Sequence, residues 1–259
     1  MRSSSFACGE TAIGFKKAAP MIFYPVTFPS ATFYFPSLSR VLYNILVVID
    51  NIIINIIYEY QNLRKEASMK GYIEVYTGDG KGKTTAAIGL SIRAIGAGKK
   101  VCIIQFMKSL AYAEQKILKE LPGITLITLG KPYFIAKEGM LSEEEIKAWG
   151  DKLVVYPAGH PPEEYHRMIQ KGIEDAVKAV SGPYDVVILD EYNMACWYDL
   201  ASDEDTERIL AARKPEVELV FTGRNAPKLI LDRADLITEM KKIRHYYDKG
   251  VMGRKGIED

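Results

Sequence analysis

Thr77-Gly78-Asp79-Gly80-Lys81-Gly82-Lys83-Thr84-Thr85 gathers three glycines, two lysines and three threonines into one short stretch. An apolar run, Tyr72-Ile73-Glu74-Val75-Tyr76, precedes it, and Ala86-Ala87-Ile88-Gly89-Leu90 follows. Strand, glycine-rich turn and helix start, in that order, are the context of a phosphate-binding P-loop. The glycines let backbone N–H groups converge on an anion, and the helix start adds unpaired donors and a positive dipole end. Lys83 is placed to reach outer phosphates, and the Thr84 hydroxyl to ligate Mg²⁺ or Mn²⁺. The pattern G-x-x-x-x-G-K-[ST] puts its first glycine where Thr77 stands. Gly78, Gly80 and Gly82 carry the turn instead.

A second stretch complements the first. Val186-Val187-Ile188-Leu189 is apolar and ends in Asp190-Glu191, the Walker B pattern, whose carboxylates hold Mg²⁺ directly or through water opposite Thr84. Arg224, in Thr222-Gly223-Arg224, follows another apolar run and can clamp phosphate oxygens. Arg93 lies nine residues beyond Thr84 on the same expected helix. Cys196 and Trp197 read as core. The segment Lys241–Gly250 is basic and aromatic, and either covers a ligand or is a solvated end.

These residues need elements to position them. From Met69 onward, short apolar strands alternate with longer amphipathic segments. Strands are expected at 72–76, 101–106, 124–129, 185–189, 219–221 and 236–237. Helices are expected at 84–97, 112–121, after the Ser142/Glu145 capping box, and from Pro162 to Val180. This alternation implies an α/β fold: one parallel sheet with helices on both faces. Ligands of such sheets bind at the carboxyl ends of the strands. The candidate site residues are therefore 77–85, Gln105-Phe106-Met107-Lys108, Gly130–Phe134, Asp190-Glu191 and Thr222-Gly223-Arg224.

Composition bounds the rest. With 48 % hydrophobic and 26 % charged residues, the chain can bury a sizeable core. A net charge of +1 gives no reason to expect a nucleic-acid partner. Cys8, Cys102 and Cys196 form no C-x-x-C pair, so no zinc site or disulfide framework is indicated, and a reducing, cytoplasmic compartment fits. Residues 1–68 differ in composition from the remainder and read as an N-terminal extension to a domain at 69–259. The apolar run at 41–57 approaches membrane-spanning length, but Asp50 and three asparagines interrupt it. Of three readings (membrane anchor, packed extension, translated sequence upstream of a start at Met69), the third is the expectation, and membrane attachment is not.

Several segments taken together resemble one family. Gly78–Ala87, Gln105-Phe106-Met107-Lys108, Leu189-Asp190-Glu191, Thr222–Pro227, Asp232–Met240 and Tyr247–Glu258 look like the P-loop corrinoid adenosyltransferases, whose P-loop also lacks the first glycine. The resemblance spans about Met69 to Asp259. It implies a RecA-like P-loop fold and transfer of the 5′-deoxyadenosyl group of ATP to the cobalt of a reduced corrinoid, with release of triphosphate. Cobalt in the +1 state is the nucleophile, so no side chain need act as nucleophile or base, and catalysis rests on positioning and on stabilising the leaving group. Gly78, Asp79, Gly80, Lys81, Gly82, Lys83, Thr84 and Thr85 would hold the triphosphate together with Arg224. Arg93 matches a family ATP-contacting arginine. Thr84 and Glu191 match its Mg²⁺ ligands, with Asp190 beside them, and Lys83 and Glu191 carry the catalytic roles. Where the family usually reads Gly-Phe-Thr-Trp-Glu-Thr-Gln, this sequence has Gly130-Lys131-Pro132-Tyr133-Phe134-Ile135. Tyr133 and Phe134 are the candidates to face the corrinoid. The resemblance further implies a homodimer and a flavoprotein-type electron donor. Two other readings use the same residues: an ATP-hydrolysing P-loop protein in which Glu191 orients water, and a non-enzymatic nucleotide- or corrinoid-binding switch.

Overall fold

The computed structural model describes residues 48–49, 52–57, 70–109, 112–251 and 253–258. The chain divides into two compact units, Met1–Gln61 and Asn62–Asp259. In the first, residues 48–49 and 52–57 are helical with exposed apolar side chains. The rest of the run at 41–57 lies outside the described residues. Among the described residues, no helix is long and apolar enough to cross a membrane.

The second unit is built on six parallel strands. They are β1 (Ile73–Thr77), β2 (Val101–Phe106), β3 (Ile124–Leu129), β6 (Val186–Asp190), β7 (Glu218–Thr222) and β8 (Leu236–Glu239). Their spatial order is β3-β2-β6-β7-β1-β8. Every ladder in it is parallel. One strand, β7, therefore separates the P-loop strand from the strand that ends in Asp190. The central strands are buried along nearly their whole length, as their unbroken apolar sequences demand of a sheet covered on both faces.

Alternation along those strands sorts side chains to two cores. Val101, Ile103, Val186, Ile188 and Val220 face α1 (Lys83–Gly96) and α2 (Ala113–Leu118), against Ala87, Ala94 and Leu118. Cys102, Ile104, Phe106, Val187, Leu189, Leu219 and Phe221 face the opposite way. There they meet α4 (Glu163–Val180), α5 (Tyr192–Trp197), α6 (Asp203–Ala212) and α7 (Lys228–Arg233). Ile169 and Ile173 of α4 are fully buried, and each such burial contributes about 1.5–3 kcal/mol. Helices thus cover both faces of a parallel sheet, the P-loop, RecA-like arrangement.

A smaller element sits apart from the main sheet. β4 (Phe134–Lys137) and β5 (Leu153–Tyr156) pair in parallel and are joined through α3 (Glu143–Trp149). The Ser142/Glu145 capping box opens α3: Ser142 Oγ accepts from the Glu145 N–H at 3.2 Å, and Glu145 returns the bond at 2.8 Å. The expected main-sheet strands and the helices at 84–97 and from Pro162 are present with shifts of a residue or two. The helix expected at 112–121 is shorter, Ala113–Leu118. β4, β5, α5, α6 and α7 are additional to the expected elements. Cys196 packs at the edge of the core, but Trp197, the last residue of α5, is exposed and takes the Lys137 ammonium over its ring instead of core neighbours.

Candidate active site

Because the strands are parallel, the carboxyl ends of β1, β2, β6 and β7 lie at one edge of the sheet. The turn after β1 is shaped by what lies beneath it. The Gly80 N–H donates to the Met240 carbonyl at 2.5 Å, just past the end of β8. A Cβ at Gly80 would stand 2.5 Å from that same oxygen, and one at Gly78, where φ is +95°, 2.6 Å from it. Only glycine allows so close a backbone approach. Lys83 opens α1 directly after the turn and folds over it, donating to Gly78 O at 2.6 Å and Gly80 O at 2.9 Å. Burial pulls its ammonium below the ordinary lysine value, against the attraction of Glu191.

Thr84 reaches across to β6. Its hydroxyl donates to Asp190 Oδ1 at 2.9 Å. Asp190, 1 % exposed, also accepts from Thr222 Oγ1 (2.6 Å), Gln105 Nε2 (3.1 Å) and Lys108 Nζ (2.8 Å). Gln105 is fixed in turn by Gln115 of α2 at 2.8 Å. Burial acts to raise the Asp190 carboxyl, yet the Lys108 charge and these hydrogen bonds hold it below its ordinary value. Glu191 behaves oppositely: burial and the Asp190 charge both push its carboxyl up. Two adjacent carboxylates are thereby driven apart. Glu191 lies in the left-handed region, φ 60°, with its N–H held by Thr222 Oγ1 at 3.0 Å. No described residue donates a hydrogen bond to its carboxylate, which lines the cavity.

That cavity, about 650 Å³, is lined by Asp79 to Thr85, Lys108, Tyr112, Glu191, Arg224 and the C-terminal residues His245 and Gly256 to Glu258, among others. The sequence-derived residues Asp79, Gly80, Lys81, Gly82, Lys83, Thr84, Thr85, Glu191 and Arg224 are brought together here. Gly78 and Asp190 lie just behind the wall, bonded to Lys83 and Thr84. Arg93 is not brought to the cavity. It is exposed on the last turn of α1, ten residues beyond Lys83, about 15 Å along the axis.

Tyr133 and Phe134 lie elsewhere. With Met107, Ser109, Tyr112, Lys131 and Pro132 they line a second cavity of about 280 Å³. Tyr112 lines both cavities. The Tyr133 hydroxyl is bonded to Glu164, and its carbonyl accepts from Tyr165 at 3.0 Å. Phe134 is 53 % exposed, with its ring 4.8 Å from that of Trp149.

The sequence reading left three features without a role. Lys108 was only one residue following a strand, and its partners lie 24 and 82 positions away. Gln105 was a candidate only by its place at a strand end, and Gln115 was not singled out. The C-terminal segment forms a clasp: Lys81 of the P-loop donates to Glu258 and to Ile257 O at 2.8 Å, and to Tyr246 at 3.2 Å. Arg254 also bonds Glu258 and lies over the Tyr246 ring at 4.9 Å. The basic, aromatic character of 241–250 was the available signal.

The donor set suits a hard divalent cation. A free carboxylate, Glu191, and a hydroxyl, Thr84, face a cavity sized for a nucleotide. Mg²⁺ typically takes one or two protein oxygens and completes its shell with water and phosphate. Among the described residues no cluster of three His, Cys, Asp or Glu offers an all-protein cage.

Known proteins resemble the chain over most of its length. Residues 69–258 match the family model described as ATP:corrinoid adenosyltransferase BtuR/CobO/CobP. The chain is 31 % identical over 189 residues to the corrinoid adenosyltransferase CobA of Salmonella typhimurium, covering 73 % of this chain and 86 % of that protein. It is 32 % identical over 194 residues to a corrinoid adenosyltransferase of a Sinorhizobium species, covering 73 % and 80 %. Among solved structures it resembles the RadB recombinase at a TM-score of 0.35 and 13 % identity, covering 68 % of this chain and 77 % of that one; nothing is argued from so slight a likeness.

Proposed function

Since the chain belongs to the ATP:corrinoid adenosyltransferase family, we propose that the cavity at the carboxyl edge of its sheet is where ATP is held for adenosyl transfer. The enzyme moves the 5′-deoxyadenosyl group of ATP to the cobalt of a reduced corrinoid. The Co–C5′ bond forms with the electron pair of cobalt in the +1 state, the C5′–O bond breaks, and triphosphate leaves with that oxygen. The observation that carries the reading is the convergence of the P-loop, Lys108, Glu191 and Arg224 on one cavity whose wall, at Tyr112, is shared with a second, aromatic-lined one.

Each residue has a task in that scheme. The P-loop amides and Lys83 grip the triphosphate, so charge developing on the leaving oxygen meets donors already in place. Thr84 and Glu191 hold Mg²⁺, with Asp190 orienting Thr84. When bound, the ion neutralises triphosphate charge and strengthens the leaving group. Arg224, at the rim, adds a further cation. Tyr133 and Phe134 face the corrinoid and keep water from its lower side. The functional unit is 69–259, working as a homodimer in a cytoplasmic setting. Cobalt must arrive in, or be brought to, the +1 state by an external one-electron donor of flavoprotein type. Neither described cysteine lines the nucleotide cavity or the aromatic-lined one, and burial pushes both the Cys102 and Cys196 thiols up to about 12.

The product decides between this reading and ATP hydrolysis. Given ATP, Mg²⁺ and cobalamin under strong reduction, the enzyme yields a light-sensitive adenosyl corrinoid and equimolar triphosphate. ADP and phosphate in their place would overturn it.

A further inference from the structure

Lys108 occupies a position that the reaction scheme leaves unexplained. Met107, the first residue after β2, lies in the left-handed region, φ 59°, a conformation that costs a non-glycine residue free energy and persists where the surroundings enforce it. The turn delivers Lys108 to the site, its side chain only 12 % exposed. Its ammonium donates to Thr84 Oγ1 at 2.9 Å and to Asp190 Oδ2 at 2.8 Å. Those oxygens belong to the hydroxyl and the Walker B carboxylate beside which a divalent ion would sit. A cation that is part of the chain is already on them.

The physical reason lies in Asp190. A buried carboxylate without a counter-charge is strongly disfavoured, and Thr84, Thr222 and Gln105 supply hydrogen bonds but no charge. Lys108 supplies it. A lysine ammonium is a compact charge on a flexible four-carbon stem, and Lys108 also lines the nucleotide cavity. It can therefore leave Thr84 and turn to a triphosphate oxygen without leaving the site.

We infer that Lys108 is a resident cation of the site: it sits on Thr84 and Asp190 while no divalent ion is bound, and moves onto the triphosphate when metal and nucleotide enter. One side chain then balances charge in both states, guarding Asp190 in the empty enzyme and stabilising the leaving group in the loaded one. The inference rests on the proposed function for the identity of the anion. Competition between Lys108 and a divalent ion does not depend on it.

The test uses the full chain and two probes. Mn²⁺ binding to nucleotide-free protein is followed by the electron paramagnetic resonance signal of the free ion. Inorganic triphosphate binding in the presence of Mg²⁺ is followed by calorimetry. Replacing Lys108 by methionine removes a positive charge from beside the metal seat, so Lys108→Met should bind Mn²⁺ about tenfold tighter or more than the wild type. It should bind triphosphate about tenfold more weakly, having lost a charge-assisted hydrogen bond. Lys108→Gln keeps a neutral donor for Asp190 and carries the same test if the methionine variant does not fold. Mn²⁺ affinity that is unchanged or weakened in the folded variant would overturn the inference, as would triphosphate affinity that stays the same. Failure of the wild type to bind triphosphate would instead count against the proposed function, and the Mn²⁺ contrast would still decide the role of Lys108.

Discussion

The nucleotide end of the sheet and the β4–α3–β5 element solve different problems with different materials. At the nucleotide end, recognition groups come from the ends of four strands of one parallel sheet, and Asp190 alone gathers donors from Thr84, Gln105, Lys108 and Thr222. The smaller element carries two exposed rings, Phe134 against Trp149, 53 % and 39 % exposed, beside the charged residues of α3. A phosphate chain demands convergent amides and fixed charges, which tie residue types to positions. A large apolar face demands area and shape, which many sequences provide. The two regions touch through backbone. A Cβ at Gly130, after β3, would stand 2.2 Å from the Lys108 carbonyl carbon, so the loops after β2 and β3 are pressed together and the two cavities share Tyr112.

The largest effect is expected where the nucleotide end is cut. Lys83→Ala removes the one ammonium lying across the turn of the P-loop and leaves the Gly78 and Gly80 carbonyls without their donor. Losing a donor to a charge that develops in the transition state typically costs about 10²–10³-fold in turnover. Single-turnover adenosylation should fall by at least that, and ATP binding by calorimetry should weaken with it. If the variant adenosylates at more than a tenth of the wild-type rate, the triphosphate is not gripped here.

The same contrast explains what could be read from the sequence. β2 and β6 were legible because strands buried on both faces are continuously apolar, and the P-loop because its glycines and lysines have no other common use in that order. α3 and α4 announced themselves through Ser142/Glu145 and Pro162. β4 and β5 did not: each is four residues long, too short for a period to emerge. α5 starts from Glu191 in a left-handed conformation with no side-chain cap, so no start signal precedes it. α6 did carry one, Ser202 paired with Asp205, which the pattern of main strands overshadowed. Lys108 was named only as a residue after a strand, and Glu258 only within a family-like segment; what each of them does stayed hidden for a different reason. Their roles are pairings across 82 and 177 positions, and spacing along the chain carries no trace of them. Arg93 shows the converse: the right distance along α1 from Thr84 did not put it on the cavity.

A cut on the other side of the comparison should separate the two functions. Phe134→Ala deletes an exposed ring, so the fold loses little beyond an aromatic pair, worth about 0.5–1.5 kcal/mol. For a unit of this size that lowers the thermal midpoint by a few degrees, at about 2–4 °C per kcal/mol. Adenosylation should drop by about tenfold, the effect of losing one or two kcal/mol of apolar contact, while ATP affinity is unchanged. An equal fall in ATP affinity would mean that Phe134 serves the nucleotide and that the division between the regions is wrongly drawn.

The smallest effect should come from the clasp, through which the C-terminal segment is bonded to Lys81 of the P-loop. Arg254, Lys81 and Tyr246 together hold the Glu258 carboxyl far below its ordinary range. A depressed carboxyl stabilises the folded state above its unfolded value and loses that contribution as pH falls through the folded one. The clasp should therefore stay closed from pH 8 down through the ordinary carboxylate range and open only in stronger acid. Glu258→Gln removes the charge at every pH. Because the residues involved are at the surface, the thermal midpoint should hardly move. Amide hydrogen exchange in the C-terminal segment, taken relative to its intrinsic rate at each pH, should nonetheless become faster across that whole range, and ATP should slow it less than it does in the wild type. Wild-type exchange that instead accelerated, relative to its intrinsic rate, between pH 6 and 4 would show that Glu258 is not held in the clasp.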